Sequence, residues 1–148
     1  MQNKGTLSVV MPNYNHGHYI QESLQAILSQ SFPPLEVIVI DDGSTDNSVQ
    51  VIESIAKKNP TVKFYRNVEN MGPWHSSNKG AKIATGEYIY FCAADDRVCP
   101  GFFKKSVKIL NQNPQAGLSS ALLKIIGKDG NDEMWANSTV ISSTECFL

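Results

Sequence analysis

The 148-residue sequence contains few cysteines, no long apolar run and no excess of charge of one sign. Cys92, Cys99 and Cys146 are odd in number and form no C-x-x-C pair. This pattern disfavours a disulfide framework or a zinc site and predicts reduced, structural thiols. No apolar run approaches the roughly 18 residues of a membrane span, so no transmembrane segment is expected.

The charges nearly balance, with 13 Lys and Arg against 14 Asp and Glu and a formal net charge of -1. A chain without a basic field is not expected to bind nucleic acid. The start, MQNKGTLSVV, lacks the apolar h-region of a signal peptide, which predicts a cytoplasmic location. Because 41% of the residues are hydrophobic, residues 1–148 can form the core of a single domain.

Strand-like and helix-like segments alternate along most of the chain. Short apolar runs predict strands at TLSVVM, closed by Pro12, and at LEVIVI, VKFYRN and EYIYFC. Apolar residues at helical spacing follow each run, and Asp46 or Thr45 is the expected cap of the second helix. The third helix opens at Gly72-Pro73 and is predicted to bury Trp74, Ala81 and Ala84.

This alternation predicts an α/β fold around a mostly parallel sheet. The segment LSSALLKIIGKDGNDEMWA has a different character. It predicts a C-terminal hairpin, with Lys128-Asp129-Gly130 as the turn.

Two pairs of adjacent carboxylates follow predicted strands. Asp41-Asp42 ends VIVI, and Asp95-Asp96 follows YIYF after three further residues. Parallel sheets bind ligands outside the carboxyl ends of their strands, so both pairs and the Pro12–Asn15 loop should line one cleft. Four unpaired carboxylates are costly to bury there. A divalent cation such as Mg²⁺ or Mn²⁺ would offset the charge of at least one pair.

The segments VVMPNYN, LEVIVIDDGSTD and ENMG…NKGAKIATGEYIYFCAADD resemble glycosyltransferase family 2. The order and spacing of these motifs carry the resemblance, from about Leu7 to about Leu110. The resemblance implies a GT-A fold, a Rossmann-like three-layer α/β arrangement. Residues 7–110 would form the nucleotide-sugar-binding core, and residues 111–148 would begin an acceptor-side region that is incomplete here.

The resemblance also implies roles for individual residues. Pro12 and Tyr14 would line the nucleobase pocket, with Tyr14 against the base. Asp42 would accept a hydrogen bond from the imide N–H of uracil. Asp96 would bind Mn²⁺ or Mg²⁺ on the donor diphosphate, and Asp95 would lie near the cation and the donor ribose or sugar. A charged acceptor suits a buried imide, and a cation offsets charge on the leaving phosphate.

The reaction implied is inverting transfer from a nucleotide sugar, with a UDP-sugar as the expected donor, to the hydroxyl of a glycan or lipid-linked acceptor. In the family the general base is a carboxylate well downstream of the metal motif, so the catalytic base is unassigned here. Asp129, Asp132, Glu133 and Glu145 match no such motif. The resemblance therefore implies the donor-binding part of an enzyme, a truncated chain whose full-length form lies at the inner face of the membrane.

The sequence departs from the family at two places. Ser77 stands where many relatives have arginine, with Lys79 or His75 as alternative positive charges, and Ala93-Ala94 precede the second acidic pair where a carboxylate is common. Two alternatives stay open. One is a nucleotide-binding module that does no chemistry, and the other is a receiver-like, Mg²⁺-binding signalling domain.

Overall fold

The computed structural model describes residues 5–120, 123–126, 132–135 and 140–142. The chain divides into two compact units, Met1–Phe103 and Lys104–Leu148. The organisation of residues 1–148 as one domain remains a prediction. No helix in the described ranges combines the length and hydropathy needed to cross a membrane.

Four parallel strands form the sheet of the first unit. They are β1 (Leu7–Asn13), β2 (Glu36–Asp41), β3 (Val62–Arg66) and β4 (Tyr88–Phe91), in the spatial order β3-β2-β1-β4. The helices between and after them are α1 (Ile20–Leu28), α2 (Ser48–Lys58), α3 (Pro73–Ile83) and α4 (Phe102–Gln112). The predicted α/β fold with a parallel sheet is confirmed.

Helices cover both faces of this sheet, because both faces of its central strands are apolar. Val9 and Met11 of β1 pack with Leu24 of α1 and Ile52 of α2 in one buried cluster. The next residue along the strand, Val10, points to the opposite face, as strand geometry requires. There α3 lies against β1 and β2, which completes the three layers.

Pro12 was expected to end the first strand, but the strand continues past it. It pairs in register with Ile40, and β1 continues to Asn13. Carbonyls at even positions of β1 accept from the β4 side, as Val10 does from the Cys92 N–H. Pairing of β1 with β4 stops at Val10. At position 12 no strand is paired on the β4 side, so the absence of an N–H group in Pro12 leaves no strand hydrogen bond unmade.

Trp74 is not a core residue. Its side chain is 83% exposed, while Ser76 and Gly80 are the buried residues of α3. Residues 76 and 80 lie one turn apart on the sheet-facing side, and residue 74 is about 200° around the helix from residue 76. The sheet-facing side carries small residues because a Cβ at position 80 would lie only 2.4 Å from Cγ1 of Val10. Ala81 and Ala84 are half-buried.

The thiols agree with a structural role. Cys92 is half-buried and packs against the core cluster, and Cys99 is exposed. Both are free. Burial raises the pKa of the Cys92 thiol, which makes it a poor nucleophile. Cys146 lies outside the described residues.

The second unit contains antiparallel pairs. β6 (Leu123–Ile126) pairs with β7 (Asp132–Trp135), which confirms the predicted hairpin strands, whereas its turn at residues 128–130 lies outside the described residues. β5 (Ala116–Ser119) pairs with β8 (Val140–Ser142). Asp129 and Glu145 also lie outside the described residues.

Candidate functional site

The strand order identifies one edge of the sheet as the place for a ligand. The chain runs outward from β1 through β2 to β3 and then returns to place β4 on the other side of β1. This reversal opens a crevice between the carboxyl ends of β1 and β4. The loop after β1 carries Tyr14 and His16, and the loop after β4 carries Asp95 and Asp96.

Asp41 is a structural carboxylate. It is fully buried, and its Oδ1 accepts from Nδ2 of Asn13 at 2.8 Å. Its Oδ2 accepts from the Ser44 N–H at 3.1 Å and lies 3.4 Å from Nε of Arg66. These contacts explain why a charge can end a buried strand here without a ligand.

Asp42 is also buried, with 2% of its surface exposed. Its Oδ1 accepts from Nδ2 of Asn67 at 2.7 Å and from the Met71 N–H at 3.1 Å, and its Oδ2 accepts from the Gly72 N–H at 2.8 Å. Burial alone raises the pKa of Asp42, but these hydrogen bonds outweigh it and hold the pKa below its ordinary value. The Ser76 side chain also contributes a hydrogen bond to this carboxylate.

Asn67 links Asp42 to a lysine. The Asn67 amide donates to Asp42 and, at 3.0 Å, to Oγ of Ser76, while its Oδ1 accepts from Nζ of Lys79 at 2.7 Å. The orientation of the amide follows, because Lys79 can only donate. Lys79 therefore brings a positive charge to the Asp42 side of the site.

The loop after β1 is tied to the loop after β2. Asn15 adopts a left-handed conformation with φ of 56°, and its Oδ1 accepts from the backbone N–H groups of Thr45 and Asp46 at 2.8 and 3.3 Å. Asp46 accepts in return from the Gly17 N–H at 2.9 Å. Its other oxygen accepts from the Ser48 N–H at 2.9 Å. The N-cap of α2 is Asn47 and not Asp46 or Thr45 as predicted, although Asp46 accepts from the first helical N–H from the position before the N-cap.

Tyr14 and Asp95 are accessible, in contrast to Asp41 and Asp42. Tyr14 is 42% exposed, and Asp95 and Asp96 are both exposed. Nδ1 of His16 lies 3.9 Å from Oδ1 of Asp95. This nitrogen is buried and has no hydrogen-bond partner in the described part of the chain.

The second acidic pair suits a hard cation. Although Asp96 is exposed as a residue, partial desolvation of its carboxyl group and the charge of Asp95 raise its pKa above the ordinary value. A cation would relieve the repulsion between the two carboxylates. Within the described ranges no group of three or more His, Cys, Asp or Glu could hold a metal alone. Two carboxylates nevertheless fit Mg²⁺ or Mn²⁺, which commonly complete their shells with substrate phosphates and water.

The structure brings the predicted residues into two groups joined by the β1 loop. Asn13 contacts Asp41, and His16 approaches Asp95. Sequence reasoning missed Asn67. The signal was available, since Asn67 is a polar residue directly after a strand, the same position that drew attention to both acidic pairs.

The model of the family described as Glycosyl transferase family 2 matches residues 8–142. The chain belongs to glycosyltransferase family 2. Membership of this family excludes the alternative of a receiver-like signalling domain. Each motif of the resemblance lies at the carboxyl end of a strand. The motifs therefore meet at one edge of the sheet.

Two curated relatives of this family 2 chain are bacterial proteins. An uncharacterised glycosyltransferase of Haemophilus influenzae is 36% identical over 111 residues, which cover 75% of this chain and 44% of that protein. The GalNAc(5)-diNAcBac-PP-undecaprenol β-1,3-glucosyltransferase of Campylobacter jejuni is 29% identical over 126 residues, covering 84% and 40%. The chain thus spans less than half the length of these relatives.

Solved structures share the GT-A fold. The TarS fragment 1–349 of S. aureus in complex with UDP-GlcNAc matches with a TM-score of 0.68 and 31% identity over 74% of this chain and 32% of that one. The mannosyltransferase PcManGT of Pyrobaculum calidifontis, in complex with GDP-Man and Mn²⁺, gives a TM-score of 0.74 and 28% identity over 84% and 36%.

Proposed function

We propose that this chain binds the nucleotide-diphosphate-sugar donor of an inverting glycosyltransferase, with a UDP-sugar as the expected donor, together with Mn²⁺ or Mg²⁺. The sugar would pass to the hydroxyl of a glycan or lipid-linked acceptor. One observation carries the proposal. The carboxyl end of β1 and the loop after it lie beside both acidic pairs, because Asn13 donates to Asp41 and Nδ1 of His16 lies 3.9 Å from Oδ1 of Asp95.

In this proposal, different residues bind different parts of the donor. Tyr14 and Pro12 bind the nucleobase, whose N–H donates to Asp42. Asp95 orients the ribose or sugar near the cation, and Asp96 binds the cation directly. The cation offsets the negative charge that develops on the leaving diphosphate.

The ligands in the neighbouring structures support a donor of this class. TarS was solved with UDP-GlcNAc, and PcManGT with GDP-Man and Mn²⁺. Uracil and guanine both present a ring N–H, which an acceptor such as Asp42 recognises, whereas cytosine and adenine do not. Tyr14 stacks on either base. The identity of the base is therefore the first point to measure.

The acceptor and the general base are less constrained. The name of the Campylobacter jejuni relative includes a PP-undecaprenol glycan, which supports a lipid-linked acceptor and a location at the inner face of the membrane. No residue of this chain is proposed as the base. A chain that binds the donor without transferring the sugar is the alternative.

Calorimetric titration of the chain with UDP, GDP and ADP, each with Mn²⁺ and with chelator, tests the proposal. We expect UDP to bind most tightly, and only with the metal. Asp96→Ala should lower that affinity to the value measured with chelator. Equal UDP binding with Mn²⁺, with chelator and in Asp96→Ala would exclude the cation role. Tighter binding of ADP than of UDP and GDP would exclude the role of Asp42.

A further inference from the structure

The loop that carries the second acidic pair is held by α1. The Glu22 carboxylate pairs with the Arg97 guanidinium. Gln30, just after the helix, donates from Nε2 to the Cys99 carbonyl at 3.0 Å. Between these contacts, the Ser23 hydroxyl reaches the acidic pair itself.

Ser23 contacts the backbone on both sides of Asp95. Its Oγ donates to the Ala94 carbonyl at 2.8 Å and lies within hydrogen-bond distance of the Asp96 carbonyl. Ser23 is 1% exposed, and Ala94 is fully buried. The Asp96 N–H donates back to the Ala93 carbonyl at 3.3 Å. One buried hydroxyl therefore restrains the peptide planes that determine where both carboxylates point.

We infer that Ser23 is a positioning residue for the cation site, an inference that rests on the proposed function. Its hydroxyl holds the Ala94–Asp96 backbone so that the two carboxylates converge on one ion. Adjacent like charges repel and favour a splayed arrangement when no ion is bound. Mg²⁺ and Mn²⁺ accept little distortion of their short metal–oxygen distances. A restrained backbone avoids that reorganisation when the ion binds.

The experiment measures Mn²⁺ affinity by electron paramagnetic resonance on the 148-residue chain with excess UDP. Ser23→Ala removes the hydroxyl. Ser23→Cys keeps a similar volume with a weaker donor, and serves as the second variant if Ser23→Ala does not fold. Ser29→Ala is the matched control on an exposed serine whose hydroxyl donates to the nearby Ala26 carbonyl. Glu36→Gln, which alters a buried carboxylate at the amino end of β2 and away from the acidic loop, controls for a general loss of stability.

We expect Ser23→Ala to weaken Mn²⁺ affinity about tenfold, the lower end of the range for groups that orient metal ligands. Ser23→Cys should lie between Ser23→Ala and wild type, and both controls should bind Mn²⁺ like wild type. Thermal melting with chelator verifies that each variant is folded at the temperature of the titration.

Three results would overturn the inference. Wild-type Mn²⁺ affinity in Ser23→Ala would show that the hydroxyl does not position the carboxylates. Equal weakening in Glu36→Gln would assign the effect to lost stability. If wild type itself binds no Mn²⁺ in the presence of UDP, the cation role in the proposed function fails, and the inference fails with it.

Discussion

Asp41 and Asp42 are neighbours in sequence, yet their partners give them different capacities. Asp41 receives its hydrogen bonds from side chains and backbone of the first two loops, and Arg66 lies beside it. Asp42 faces the loop after β3 and receives its hydrogen bonds from that loop and from the start of α3. The side chain that determines this geometry is Asn67, whose amide orientation is in turn set by Lys79.

Lys79→Met should therefore weaken UDP binding. Without the ammonium group the Asn67 amide can rotate and present its oxygen to Asp42, which repels the carboxylate. We expect a loss of about tenfold, or ~1.4 kcal/mol, measured by calorimetry in the presence of Mn²⁺. Lys82→Met is the matched control, since Lys82 is an exposed lysine of the same helix. Equal UDP affinities of Lys79→Met and Lys82→Met would contradict the link from Lys79 through Asn67 to Asp42.

Tyr14 should contribute through its ring and not its hydroxyl. Stacking of a base on an aromatic side chain contributes about 1–3 kcal/mol, so Tyr14→Ala should weaken UDP binding tenfold or more. Tyr14→Phe should bind within about twofold of wild type, because the ring is retained. The two titrations are done under the conditions used for Lys79→Met. A loss in Tyr14→Phe as large as in Tyr14→Ala would assign the contact to the hydroxyl.

At the scale of the elements, the site depends on how closely α3 approaches the sheet. The first turn of this helix follows Gly72, whose N–H binds Asp42. Ser76 and Gly80 form the buried face, and the small size of Gly80 lets the helix lie directly on Val10 of β1. Trp74 consequently points to solvent.

Gly80→Ala should destabilise the fold although alanine favours helices. The new Cβ meets Cγ1 of Val10 at 2.4 Å, so the helix must shift. Overpacking of this kind costs about 1–3 kcal/mol, more than the ~1 kcal/mol gained in helix propensity. Chemical denaturation measures the difference. Val10→Ala combined with Gly80→Ala should be more stable than the sum of the single changes predicts, and simple additivity would refute the contact.

At the scale of the whole molecule, a buried carboxylate joins all four strands at the edge opposite the site. Glu36 of β2 accepts from the Ser8 hydroxyl of β1 and from the Lys63 ammonium of β3, both at 2.7 Å. It also accepts from the backbone N–H and the hydroxyl of Thr85, just before β4. Burial acts to raise the pKa of Glu36, but these donors lower it to about 2.

Acid should therefore unfold the protein partly through Glu36. Its folded pKa lies below the ordinary value of 4.5, so the stabilisation is fully present above pH 4.5 and is lost as the pH falls toward about 2. Glu36→Gln should lower the free energy of unfolding at pH 7 by on the order of 3 kcal/mol and flatten its pH dependence in that range. Urea denaturation from pH 7 to 3 measures both. Glu53→Gln, on the exposed side of α2, should change neither, and an unchanged acid slope in Glu36→Gln would disprove the assignment.

Much of this organisation could be predicted from the sequence, because the signals are local. Strand and helix periods, the Gly72-Pro73 helix start and the apolar run before Asp41 each act over a few residues. The partners of the carboxylates could not be predicted. Asn67 is 25 residues from Asp42, and Ser23 is 73 residues from Asp96. Such pairs depend on strand order and on which face of a helix contacts the sheet. The second factor explains why Trp74 was wrongly predicted to be buried.

The position of β4 beside β1 has a consequence for the order of folding. Asn13 of β1 meets Asp41 at a separation of 28 residues, whereas Val10 meets Cys92 at a separation of 82. Closing the longer loop costs about 1 kcal/mol more in chain entropy. The β1-β2-β3 segment can therefore assemble first, while the ribosome is still making the rest, and the donor crevice appears only when β4 docks. A nucleotide present during synthesis would bind only after that final strand pairing and would then stabilise it.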